Sequence, residues 1–215
     1  MRALLLRALD DDDEKVRVAA ASVLSVDEVE SALGSPHADV RVRAAAARAS
    51  VGDLRALAPL LALATEKEPE VVERRAAWVD RVGRALGGLA DLGAGDAADA
   101  GVLGAVAGLV GHKEKSIRDT AARALGWVSR PGGDLGPLRE ALAHPDEDVK
   151  LEAAFGLAIV GDPAGLPVLR GLTQAAAPLA LRCLGAAVSL GRQADELLAA
   201  FMDHVDERGR VCPPP

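Results

Sequence analysis

The chain contains no tyrosine, and just two phenylalanines and two tryptophans in 215 residues. Half of its residues are nevertheless apolar, so any interior must be built from alanine, leucine and valine. Side chains this small let helices approach closely, whereas a β-sandwich draws on β-branched and aromatic residues. Long apolar runs are absent as well: none approaches the roughly 20 residues of a membrane span. The apolar start at residues 3–6 is interrupted by Arg7 and Asp10, too soon for the core of a signal peptide. The expectation is a cytoplasmic protein with no membrane partner. Cysteine is scarce: Cys183 lies in an apolar helical stretch as a buried thiol, Cys212 lies in the proline-rich end, and two such residues make no disulfide framework.

A cationic excess is also missing. The net charge is −7, which counts against a nucleic-acid partner, because phosphate contacts need a cationic face. The charge is unevenly placed. Residues 41–84 hold nine Arg or Lys against six acids, residues 1–40 four against nine, and residues 85–215 twelve against seventeen. A mildly basic middle between acidic flanks suits an acidic protein or peptide partner.

What the sequence does contain is an internal repeat. An apolar residue followed by a basic one opens an alanine-rich helix at Val16-Arg17, Val40-Arg41, Ile117-Arg118 and Val149-Lys150. Seven positions earlier stand Leu9, Leu33, Val110 and Leu142. Val71 and Leu179, preceded by Ala64 and Leu172, extend the series to six units without the basic neighbour. Pro59, Pro137 and Pro167 each precede a key apolar residue by twelve, and Gly52, Gly83, Gly161 and Gly191 each follow one by twelve. Gly52-Asp53 and Gly161-Asp162 pair a helix-ending glycine with a helix-capping aspartate. Pro36, Pro69, Pro145 and Pro163 are expected at first helical positions, where a missing N–H costs nothing. Ser25 and Glu28 form a capping box.

Each unit reads as helix A, a polar turn and helix B. One pair cannot bury its apolar face alone, and stacking makes the core continuous. The key apolar residues are spaced 24, 31, 46, 32 and 30 apart. The short first interval predicts an abbreviated helix A near residues 26–33, and the long third one predicts an insert within residues 87–101. A last helix is expected at 193–204.

The run Leu142-x6-Val149-Lys150-x2-Ala153-Ala154, continuing to Gly161-Asp162-Pro163, resembles a HEAT repeat of the short bacterial type also found in bilin-lyase-like proteins. The resemblance implies an all-α fold: a right-handed α-solenoid of about six helix pairs with a C-terminal capping helix. It implies one domain over residues 1–204 and a disordered tail at 205–215. It departs from the pattern in unit one, at the insert, and in unit six, where Pro178 and Ala180 replace an acid and a base. HEAT arrays mostly act as scaffolds or adaptors, with some enzymes among them. Three readings stay open: a protein-interaction scaffold, an enzyme or enzyme subunit (bilin-lyase-like or DNA-glycosylase-like), and a structural or oligomerising module. A glycosylase needs a basic, aromatic-lined face with a carboxylate, for which Trp78, Asp80 and Arg81 are the close grouping. The leading expectation is the scaffold, with no catalysis and no cofactor.

No metal site is expected. The acidic run Asp10–Glu14 lacks the spacing, glycine and closing glutamate of a calcium loop and falls where acids favour a helix N-terminus. His112 and His144 recur five residues before Ile117 and Val149 and read as turn residues. Arg17, Arg41, Arg118 and Lys150, with Asp39 and Asp148, read as charge pairs linking successive repeats. Trp78 and Trp127 fall on apolar periodicity and read as core. The concave face is assigned to helix B at three and six residues past each key position, which selects Arg43, Arg74, Arg123, Glu152, Phe155 and Arg182 as partner-binding residues. Among these, Phe155 is expected to be an aromatic anchor within a charged rim.

Overall fold

The structure is a computed structural model, and it describes residues 2–24, 29–70, 72–92, 100–129 and 132–172. Within them the chain is helical, with no strand. The elements are α1 (Arg2–Ala8), α2 (Glu14–Ala21), α3 (Val29–Leu33), α4 (Ala38–Ala49), α5 (Leu57–Ala64), α6 (Val72–Leu92), α7 (Ala100–Val110), α8 (Lys115–Val128), α9 (Gly136–Ala141), α10 (Glu147–Ile159) and α11 (Leu166–Leu172). Single turns of 3-10 helix at Leu54–Ala56 and Pro163–Gly165 lead into α5 and α11.

The order is A, B, A, B throughout. The B helices α2, α4, α6, α8 and α10 pack side by side, and each also packs on the A helix of its own pair. Five pairs and the first helix of a sixth are thus in place, and the expected unit-six residues Leu179 and Gly191 and the helix at 193–204 lie outside the described residues. The key residues Val40, Ile117 and Val149 have no exposed surface, while Val16, in the first pair, is 38% exposed. A continuous core runs from Val42 through Leu60, Trp78, Leu86, Val106, Leu125 and Leu138 to Leu157. Leucine, valine and alanine fill it, as the lack of aromatics requires.

The turns follow the chemistry of their residues. Gly52 and Gly161 adopt φ of 75° and 80°, the left-handed region that glycine enters without a Cβ clash. Asp53 and Asp162 then cap the 3-10 turns, accepting from the N–H groups of Arg55 at 3.0 Å and Ala164 at 2.8 Å. Pro163 alone of the four expected first-position prolines opens a helical turn. Pro36 and Pro145 instead precede the capping residues of α4 and α10, and Pro69 lies in the extended stretch before α6. Ser25 and Glu28 lie outside the described residues.

The third unit departs most from the register. Gly83 sits in mid-helix, and α6 runs on to Leu92, giving 21 residues against 12 in α4 and 14 in α8. Residues 87–92 of the expected insert are therefore helix, with Leu89 fully buried, and residues 100–101 begin α7. Much of the extra length has gone into an apolar-striped helix, which buries more surface than a loop and satisfies its own backbone.

One close interhelix approach is made through glycine. A Cβ built on Gly126 would lie 2.7 Å from the Gly156 Cα, and one on Gly156 would lie 2.5 Å from the Gly126 Cα. No side chain fits between α8 and α10 there. By contrast, a Cβ on Gly83 or Gly87 meets nothing within 4 Å. Gly126→Ala is accordingly expected to lower unfolding stability by about 1–3 kcal/mol through overpacking. Gly83→Ala should raise it by about 0.5–1 kcal/mol through the helical preference of alanine. Urea unfolding of both variants checks the opposite signs.

Candidate interaction face

The B helices α6 and α8 leave one face uncovered, and helical periodicity decides what it presents. On α8, Ser116, Thr120, Arg123 and Trp127 follow at intervals of four, three and four residues and form one stripe. Between them Ile117, Ala121, Ala122, Ala124, Leu125 and Val128 are buried. On α6 the same intervals align Ala76, Asp80, Gly83 and Gly87. The two stripes border a groove of about 490 Å³ lined by Ala76, Val79, Asp80, Gly83, Arg84, Ser116 and Thr120. Its floor is low because two of its residues carry a methyl group or nothing.

Charge in this groove is organised around Asp80. Arg84 grips the carboxylate with Nε at 2.9 Å and Nη2 at 3.2 Å. Arg43, on α4, places Nη2 3.8 Å from the same carboxylate and donates Nη1 to the Asp39 carbonyl at 3.0 Å. Burial and the nearby Arg84 guanidinium both lower the Arg43 pKa, against the pull of Asp80. Two cations share one anion. Further along, Arg123 is half exposed and reaches buried Glu152 at 3.3 Å.

A second depression of about 430 Å³ lies between α4 and α6, where exposed Arg74 meets Glu14, Asp39, Glu66 and Arg81. Its charges are of both signs: Arg81 pairs with Glu66 at 3.3 Å.

Of the residues expected from the sequence, Arg74 lines the second depression, Arg123 is exposed on the α8 stripe, and Arg43 is mostly buried beside Asp80. Phe155 is on neither surface: it is 7% exposed and belongs to the interior of α10, whose residues 151–158 are all buried. Glu152, also 7% exposed, lies beneath Arg123 rather than on a rim. Arg182 lies outside the described residues. Trp78 is core, with its indole N–H donating to the Glu66 carbonyl at 3.0 Å. Trp127, expected beside it in the core, is 48% exposed. The reason is phase: Trp127 is eleven residues past Ser116, three full turns, and so shares its solvent-facing stripe. Counting back from an exposed serine would have found it, as would pairing Asp80 with Arg84 one turn on.

The basic residue after each key apolar one has a different task from partner binding. Arg17 Nη1 donates to the carbonyls of Asp11 and Asp12 at 2.8 and 3.1 Å. Arg41 does the same for Ser35 and Pro36 at 2.8 and 2.9 Å, and Arg118 for His112 and Lys113 at 2.9 and 3.0 Å. Each guanidinium satisfies the turn left open after helix A. Two also reach the next unit, Arg17 to Asp39 at 3.2 Å and Arg118 to Asp146 at 2.7 Å. Lys150 departs from this pattern and pairs with Glu147 on its own helix at 2.6 Å.

The acidic and histidine candidates also resolve into turn chemistry. Asp13 caps α2 by accepting from the Lys15 N–H at 2.8 Å. His112 and His144 use Nδ1 to accept from Glu114 and Asp146 N–H groups at 3.0 and 3.1 Å. Asp119, Asp146 and Asp148 bring carboxylates within 4.8 Å of one another. Two cations already occupy that cluster: Lys115 contacts Asp119 at 2.7 Å and also Asp148, and Arg118 holds Asp146. It links the fourth and fifth pairs. A link the sequence reading missed joins the third and fourth pairs, where Glu68 receives Arg75 at 3.2 Å and Lys113 at 2.7 Å.

With this geometry described, known proteins supply the comparison. The family model for HEAT repeats matches residues 102–191. A search of curated proteins finds no match. Among solved structures, an engineered protein is similar over 91% of this chain and 96% of its own, with 18% identity and a TM-score of 0.56, and this likeness carries the HEAT-like solenoid fold across the upstream pairs. The complex of CpcE and CpcF of phycocyanin lyase from Nostoc sp. PCC7120 is 17% identical, over 94% of each chain, at a TM-score of 0.45. YibA of Escherichia coli is 18% identical, over 94% of this chain and 84% of its own, at 0.40.

The links between units and the caps of their turns predict an acid sensitivity. Lys113 holds the Glu68 carboxyl below its usual range, Arg118 does so for Asp146, and Arg55 does so strongly for Asp53. Burial pushes Asp162 upward, but the Ala164 N–H and Arg139 outweigh it and the net shift is downward. Carboxyls depressed in the folded state contribute stability that is fully present above their unfolded values of about 4 and is lost as pH falls through the folded ones. The melting temperature should therefore hold from neutral pH down to about 4–5 and drop below that. Asp146→Asn should shrink the drop; an identical acid limb in that variant would contradict this origin.

Proposed function

We propose that this protein is a non-catalytic interaction scaffold of the cytoplasm, gripping a partner protein or peptide on the open face of its B helices. One observation carries the reading. The face combines an open groove floored by small residues with exposed arginines, while every other charged cluster described here serves a turn or a link between units. The arginines give it a positive bias on a chain of net charge −7, so attraction is local to the groove and not a property of the whole surface. Among the described residues, no helix is long and apolar enough to cross a membrane.

Absence of chemistry is part of the proposal. Two carboxylates at this face are held by guanidiniums, Asp80 by Arg84 and Glu152 by Arg123. Anions neutralised in this way are poor general bases.

Affinity purification of the tagged protein from its own cells, with mass spectrometry of what accompanies it, tests the reading. Arg74→Glu, Arg84→Glu and Arg123→Glu combined are expected to reduce recovery of the partner at least about tenfold, the effect of a lost binding hot spot. Helical circular dichroism should be retained. Glu140→Arg, an exposed change on the A layer, should leave recovery intact. Equal recovery from the triple variant and the parent would overturn the assignment of this face.

A further inference from the structure

The apolar interior is divided at α4. Leu9, Ala20, Ala21, Val29 and Ala32 cluster with Val40 and Ala44 of that helix, whereas Val42, Ala45 and Ala49 on the same helix belong to the core that continues to Leu157. Among the described residues before α4, only Leu33 packs against both clusters. The smaller cluster is thin: three of the five buried side chains that α1–α3 and their turns bring to it are alanines. Leu4, Val16 and Val23 of the same segment stay exposed. The three helices have seven, eight and five residues, each below the roughly 12–15 at which a helix holds itself in water. None of them therefore stands without the cluster they share.

We propose that α1–α3 is a detachable wall of the array, opening and closing as one unit while the helices from α4 to α10 stay folded. A segment opens alone when it buries little apolar surface and its departure strands few polar groups of the remainder. Both conditions are met. Among the described residues, Arg17 pairs with Asp39 at 3.2 Å, and Glu30 pairs with Arg48 and, at 3.7 Å, with Arg55. After opening, Arg48 and Arg55 keep Asp53, at 2.6 and 2.8 Å. The Asp39 carboxylate stays in the first turn of α4, where a helix N-terminus favours an anion. The apolar cost falls on Val40 and Ala44, and the larger core gives up only Leu33. Exposed Gly34 is the hinge position, because Arg41 ties the carbonyls of Ser35 and Pro36 that follow it to α4. The movement reaches the second depression: Glu14 of α2 lines it beside Asp39, Arg74 and Arg81, so its wall is complete only while the segment is closed. An occupant that touches Glu14 binds the closed form more tightly and, by linkage, holds it shut.

Hydrogen exchange of the full chain at neutral pH, followed by mass spectrometry on peptides from each helix, tests this. Peptides from α1, α2 and α3 are expected to share one level of protection, at least about 100-fold below that of α6 and α8. Leu9→Ala, in the smaller cluster, should lower the protection of all three by about tenfold or more, or abolish it. It should leave α6 and α8 unchanged, together with the urea midpoint of tryptophan emission, both tryptophans lying beyond α4. Leu60→Ala, in the larger core, should lower that midpoint. Equal protection from α1 to α8, or a Leu9→Ala midpoint that falls as far as that of Leu60→Ala, would mean one cooperative unit and overturn the proposal. Protection rising stepwise from α1 to α3, the pattern of helices fraying one at a time, would overturn it too.

Discussion

The turn between two helices leaves backbone carbonyls without helical partners, and at three of the turns in this array one arginine meets that need. Arg17, Arg41 and Arg118 each fold back over the preceding turn and hold two carbonyls with one nitrogen. The residue is placed directly after the buried apolar key, so the packing that fixes the key also fixes the guanidinium. In Arg17 and Arg118 a further nitrogen takes the carboxylate of the next unit. At these two turns, closure and attachment to the next unit are therefore made by one side chain.

Much of this was legible in the residues. The alternation of helices, the glycine–aspartate turns at Gly52 and Gly161, the capping role of Asp13 and the turn role of both histidines follow from spacing and side-chain chemistry that act over a few residues. The Arg–carboxylate links were legible in kind but not in full detail, because the partner of each basic residue depends on how neighbouring units are offset. Lys150, shorter and without the planar fork, turns to its own helix instead.

The errors share a cause. A register count assumes that every B helix begins and ends at the same distance from its key residue, and α6 breaks the assumption by running on past Gly83. Positions three and six past Val71 then miss Asp80, Gly83 and Arg84, which line the groove. Phe155 and Trp127 were exchanged for a related reason. Periodicity identifies a face, but whether a neighbour covers it is a tertiary fact: α10 is covered along residues 151–158, and α8 is open along its serine–tryptophan stripe. Nothing within either helix distinguishes the two cases.

The long α6 also limits how the array can be rearranged. Units that end in a glycine–aspartate turn are self-contained, and duplication or exchange at Gly52-Asp53 or Gly161-Asp162 would carry a complete helix pair with its cap. No such joint exists at Gly83, because α6 passes through it while packing on α4 on one side and α8 on the other. A break at Gly83 would therefore cut α6 in two, whereas one at Gly52-Asp53 leaves whole helix pairs on either side.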